Sequence, residues 1–156
     1  MKEKLFSFGD NFWIENDAGR RAYKVNGKVL RIRDTLDIED PQGRILVKIQ
    51  SKLITIKDQI KLDRVGAPGA VVKKDMINIV RDHMVMKMDQ GPDIDIRGNL
   101  FDHEYTFTRG RDKVAEVSKK WFRLRDTDGV QIQPGEDEVL FLAATVAVDQ
   151  LFSDVV

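Results

Sequence analysis

Short bursts of alternating apolar and charged residues recur along most of the chain, and their starts are evenly spaced. KLFSFGD from Lys4, KVLRIRD from Lys28, KLITIKD from Lys52 and KWFRLRD from Lys120 share one pattern: a lysine, two apolar residues, another apolar residue two places on, and an acidic turn. Weaker copies, DMINIVRD from Asp75 and NLFDHEY from Asn99, fill the gap, so the starts fall at 4, 28, 52, 75, 99 and 120. Self-similarity at a fixed period marks a repeat architecture. Each unit continues with a short alternating stretch: FWI from Phe12, LDI from Leu36, IKL from Ile60, MVMKM from Met84, YTF from Tyr105 and VQI from Val130. A turn in Gly, Pro, Asp or Asn follows (NDAG, DPQG, GAPG, DQGP, RGRD), then a second alternating stretch, as in AYKV from Ala22, ILVKI from Ile45, AVV from Ala70, IDI from Ile94 and VAEV from Val114. These are hairpin signals. Six units of two strands predict a mainly β protein of about twelve antiparallel strands.

One segment breaks the pattern. From Val139 to Val148 only Thr145 is not apolar. Pro134 and Gly135 stop the preceding strand, and Glu136, Asp137 and Glu138 suit the positive end of a helix dipole. The spacing predicts a helix over Glu136–Ser153, apolar on every face and therefore buried on every face. The apolar run is too short for a transmembrane span, which needs about 20 residues. A solenoid motif is absent, and a propeller blade needs a longer repeat, about 40 residues. A closed antiparallel barrel leaves no sheet edge, but twelve strands enclose more space than their own side chains fill. The helix is a suitable plug. The expectation is one domain over residues 1–156: a closed barrel of six hairpin-like repeats around a buried C-terminal helix.

Composition narrows the function. In 156 residues, 26 Lys and Arg balance 26 Asp and Glu, which argues against a general nucleic-acid binder. The absence of cysteine excludes a disulfide framework, a zinc thiolate site and a thiol nucleophile, and fits a reducing cytosol. The N-terminal stretch MKEKLFSFGDNFWIEN lacks the apolar core and cleavage site of a secretory signal.

Three further stretches carry a resemblance: IDIRGNLFDHEYTF from Ile94, KVAEVSKKWFRLRDTDGVQI from Lys113 and EDEVLFLAATVAVDQLF from Glu136. With the N-terminal FSFGDNFWIENDAGRRAYKVNGKVL, the chain resembles the LURP-one-related family of the Tubby C-terminal-like superfamily, whose relatives include phospholipid scramblases. The resemblance covers nearly the full length. It implies a twelve-stranded barrel around a central hydrophobic C-terminal helix, and a cytoplasmic protein that binds phosphoinositides or other anionic lipid at a membrane surface. No stretch maps residue by residue onto a lipid site, so none is carried over. Scramblases carry segments for palmitoylation, and this chain has no cysteine to acylate.

No residue cluster announces a chemistry. His83 and His103, the two histidines, read as ordinary strand-end residues. The carboxylates of DTLDIED and DQGPDID read as turn residues, since neither stretch fits a calcium loop. Ser118 lies in no nucleophile motif, and GAPGA from Gly66 reads as a loop. No catalytic residue, metal site or cofactor is expected. The candidates for an anionic head group are Arg31, Arg33, Lys57, Arg123 and Arg125. Strand side chains alternate faces. If Ile32, Ile54 and Leu124 face the helix, Arg31, Thr55 and Arg123 point outward, with Lys28, Lys52 and Lys120 at the barrel rim. Arginine suits phosphate because its guanidinium makes paired hydrogen bonds. The expected function is a non-enzymatic binding domain for anionic head groups. A protein-interaction module is the alternative, and a ligand carrier or enzyme with a site at a barrel mouth ranks below it.

Overall fold

The computed structural model describes residues 2–8, 11–27, 35–51, 59–74, 83–100, 102–119 and 127–153. Twelve strands are followed by one helix. They are β1 (Lys2–Phe8), β2 (Asn11–Glu15), β3 (Arg21–Gly27), β4 (Thr35–Glu39), β5 (Ile45–Ser51) and β6 (Gln59–Arg64), then β7 (Ala70–Lys74), β8 (His83–Met88), β9 (Ile94–Asn99), β10 (Glu104–Arg109), β11 (Asp112–Ser118) and β12 (Thr127–Ile132), with α1 at Glu138–Ser153. Every pairing is antiparallel between neighbours in sequence, except that β1 also pairs with β12, so the order closes on itself.

The hairpin turns have a local cause. In NDAG, Asn16 Oδ1 accepts from the N–H groups of Ala18 and Arg20, each at 3.0 Å. In DPQG, Asp40 Oδ1 accepts in the same way from Gln42 and Arg44 at 3.0 and 2.9 Å. The glycine three places on, Gly19 or Gly43, takes the left-handed φ that closes the turn. The Arg44 N–H and guanidinium hold the Asp40 carboxyl below its ordinary value. Register shifts recur at one place in the repeat, between Ile14 and Glu15 and between Ile38 and Glu39, and again between Phe107 and Thr108.

Burial repeats with the sequence period. Ile14, Ile38, Leu62 and Met86 are fully buried on the even strands, and Val25, Ile49, Val72 and Ile96 on the odd ones. They form one core with the helix. α1 packs on β5, β6, β7 and β12, and every residue from Val139 to Val148 is buried. Alanines at 143, 144 and 147 keep it slim, while Phe141 fills space edge-on to Phe107 at 5.5 Å between ring centres. Thr145, the one polar residue of the run, donates its hydroxyl to the Phe141 carbonyl at 3.0 Å, so nothing polar on it is left unmet. With 16 residues, α1 is too short to cross a membrane, and no other helix occurs among the described residues.

The copy of the repeat from Asn99 is a turn rather than a strand: Asn99 ends β9 and Glu104 begins β10. Its cause is local, since the Asn99 amide donates to Asp102 Oδ2 at 2.7 Å and its Oδ1 accepts from the Asp102 N–H at 3.0 Å. Residues 28–34, 52–58, 75–82 and 120–126, which hold Ile32, Ile54, Leu124, Lys28, Lys52, Lys120 and Thr55, lie outside the described residues.

Candidate functional site

Among the described residues three sets of charged groups bear on function, two of them engaged with the helix. At the end of the sheet where even strands turn into odd ones, three consecutive carboxylates are caught from three directions. Arg109 at the end of β10 makes a paired contact with Glu136, Nη1 to Oε1 at 2.7 Å and Nη2 to Oε2 at 3.0 Å. Arg64 at the end of β6 donates Nε to Asp137 Oδ2 at 3.0 Å and Nη1 to the carbonyls of Leu46 and Val65. Tyr23 of β3 reaches Glu138 Oε2 at 3.2 Å. Asp137 caps the helix, its Oδ1 accepting from the Leu140 N–H at 3.3 Å. The hydrogen bonds it donates to Glu136 raise the Arg109 guanidinium above its ordinary value. These arginines are committed to the helix and leave little for an anion. A double-mutant cycle on Arg109→Gln and Glu136→Gln, read by urea unfolding, is expected to give a coupling of about 1 kcal/mol, because the pair is only partly screened by water. A coupling of zero would mean that the clasp holds nothing.

At the opposite end, His103 lies in the β9–β10 turn with φ of 57° and sets Nε2 3.3 Å from Asp149 Oδ1 in the last turns of α1. That contact offsets a carboxylate placed near the negative end of the helix dipole.

The third group lies on the outer face of the sheet. The strands β6, β7 and β8 carry Lys61, Lys73 and Lys87 on this face against a single carboxylate, Asp63. Inner positions here are Ile60, Leu62, Ala70, Val72, Met84 and Met86, so Lys61, Lys73 and Lys87 face outward. Register then sets their spacing. Lys61 lies opposite Gln50 on one side and Val71 on the other. Val71 lies opposite Lys87, and Lys73 lies between Gln59 and Val85. Lys48 of β5 continues the diagonal, standing between Asp37 and Asp63. Lys87 pairs with Asp93 at 2.9 Å. Among the described residues no ion pair involves Lys48, Lys61 or Lys73. Half-buried Val71 and Val85 provide apolar ground between the ammonium groups.

Sequence reasoning missed this face: it took its basic candidates from the starts of the repeats and passed over Lys61, Lys73 and Lys87. What the sequence lacks is the register that lines Lys61 and Lys73 up across two strands. Arg31, Arg33, Lys57, Arg123 and Arg125 lie outside the described residues. In sequence they fall between β3 and β4, β5 and β6, and β11 and β12, and the flanking ends of those strands are all at one end of the sheet. No group of three or more His, Asp or Glu among the described residues is placed to hold a metal ion.

A family model described as LURP-one-related matches residues 1–149. The uncharacterized protein YxjI of Bacillus subtilis (strain 168) is 30% identical over 155 residues, covering 99% of this chain and 93% of that protein. The X-ray structure of a protein from Arabidopsis thaliana superposes with a TM-score of 0.72 at 16% identity, over 97% of this chain and 90% of the other, which is a likeness of fold.

Proposed function

For this chain, which belongs to the LURP-one-related family, we propose a non-catalytic binding role: it docks on anionic lipid head groups at the cytoplasmic face of a membrane. The observation that supports this reading is the outward basic face of β6–β8, where Lys61 and Lys73 have no acidic residue directly across from them. The interior offers no competing site among the described residues, since helix and inner strand faces form one apolar core. The chain is neutral overall, so any attraction to a membrane is local. Each ammonium near an anionic leaflet contributes about 1 kcal/mol, which makes binding modest and salt-sensitive. Arg31, Arg33, Lys57, Arg123 and Arg125 are proposed as further contributors from the connections at one end of the sheet.

Sedimentation with vesicles tests this. Vesicles of phosphatidylcholine alone should retain little protein. Vesicles that also contain phosphatidylglycerol or phosphoinositide should bind it, and less so as salt rises. Lys61→Glu with Lys73→Glu is expected to weaken binding by about 30-fold or more, two charges at about 1 kcal/mol each, with the melting temperature nearly unchanged. Arg123→Glu with Arg125→Glu measures the second set separately. A folded protein that ignores anionic vesicles at low salt favours the protein-interaction module instead.

A further inference from the structure

His83 stands at the border of the basic face, with its Nε2 3.0 Å from Asp95 Oδ1. The imidazole is mostly covered, at 11% exposure, while Asp95 is open at 43%. His83 opens β8 on the outer face, directly across from Arg97 of β9. Asp95 lies across from Val85, which in turn lies across from Lys73 of β7. Among the described residues, the charged groups that the register sets beside the imidazole are Asp95 and Arg97 from β9 and Lys73 from β7, with Lys87 farther along its own strand.

We infer that His83 tunes this face to pH, so that anionic surfaces are held more tightly as the imidazole gains its proton; the inference rests on the head-group reading above. With the ring neutral, Nε2–H can donate to Asp95, but the carboxylate keeps its full negative charge at the edge of the lysine patch. With the ring protonated, the pair carries no net charge. Nothing has to move: the hydrogen bond is in place in both states, and only the local field changes. Histidine is the side chain whose ordinary titration falls between about pH 5 and 8. Linkage makes the effect reciprocal, because a surface that prefers the protonated pair must also favour protonation. The sign follows directly: affinity rises as pH falls and declines as pH rises through the imidazole range.

The test uses the full chain and vesicles of phosphatidylcholine with phosphatidylglycerol, whose phosphate does not titrate in this range. Affinity at constant ionic strength is expected to be about fivefold higher at about pH 5.5 than at about pH 7.5, the effect of roughly one added charge near an anionic surface. His83→Gln should abolish that ratio. His103→Gln should keep it, and the chain has no third histidine. Asp95→Asn removes the carboxylate by another route and should bind at about pH 7.5 nearly as tightly as the unmodified protein does at about pH 5.5. Melting curves establish that each variant is folded, and Asp95→Asn carries the test if His83→Gln is not. Equal binding at both pH values, or a ratio that persists in His83→Gln, overturns the inference while leaving the head-group reading standing. Absence of binding at either pH removes that reading and this inference with it.

Discussion

Val146→Asp is expected to leave no folded monomer. Val146 is 5% exposed in a helix whose residues from Val139 to Val148 are all buried, so no face can turn the carboxylate to water. Among the described residues, the arginines that reach the start of the helix, Arg109 and Arg64, are engaged with Glu136 and Asp137, more than two turns before Val146. An unpaired buried charge costs several kcal/mol against a total stability of about 5–15 kcal/mol. Val146→Ala removes two methyl groups instead and should cost about 1–3 kcal/mol while preserving the fold. Far-ultraviolet circular dichroism and gel filtration separate the two outcomes. A soluble Val146→Asp monomer melting at the original temperature would show that the helix does not need its burial.

The elements that could be read from the sequence are those whose cause is local. Asn16 and Asp40 make their own turns, with a glycine three places on, so NDAG and DPQG mark hairpins without reference to anything distant. The helix could be read because a run with no polar face has only one compatible environment. The copy of the repeat from Asn99 resembled the others in composition, yet Asn99 and Asp102 bond to each other and close a turn. Composition records which residues are present, whereas the turn depends on which side chain reaches which backbone N–H.

The candidate site depends almost wholly on distant contacts. Glu136, Asp137 and Glu138 suited a helix start, but their partners Arg109, Arg64 and Tyr23 come from separate strands. The same holds for Lys61 and Lys73, which become neighbours only through the β6–β7 register. A shift of one residue would turn either lysine into the core. His83 was read as a strand-end residue, and it does open β8, but its contact with Asp95 needs the diagonal across the β8–β9 ladder. Sequence reasoning looked for basic residues at the repeat starts, whereas the register shows which lysines of β6 and β7 stand without an acidic residue across from them.

Gly98→Ala is expected to destabilise the protein more than a methyl group in the sheet would normally do. Gly98 has a φ of 136°, a conformation that residues with a side chain rarely adopt. It lies directly across from Tyr105. A Cβ built there would come within 2.5 Å of the Glu104 carbonyl oxygen and 2.8 Å of the Tyr105 Cα, both backbone atoms that cannot rotate aside. Relief would require β9 and β10 to separate, and Tyr105, Phe107 and Phe141 form one aromatic cluster of tilted and edge-on rings behind that pairing. Backbone strain alone costs about 1–3 kcal/mol, and the displacement of a packed strand adds about as much again. The loss should therefore be about 2–5 kcal/mol, a large share of what a domain of this size has to lose. Gly110→Ala, at φ of 62° with nothing near its Cβ, should lose only the conformational part, about 1 kcal/mol. Thermal or urea unfolding of the two variants side by side gives the answer. Equal, small losses would mean that β9 and β10 can part at Gly98 without disturbing the aromatic cluster, and that the close approach of the strands there is not required by the fold.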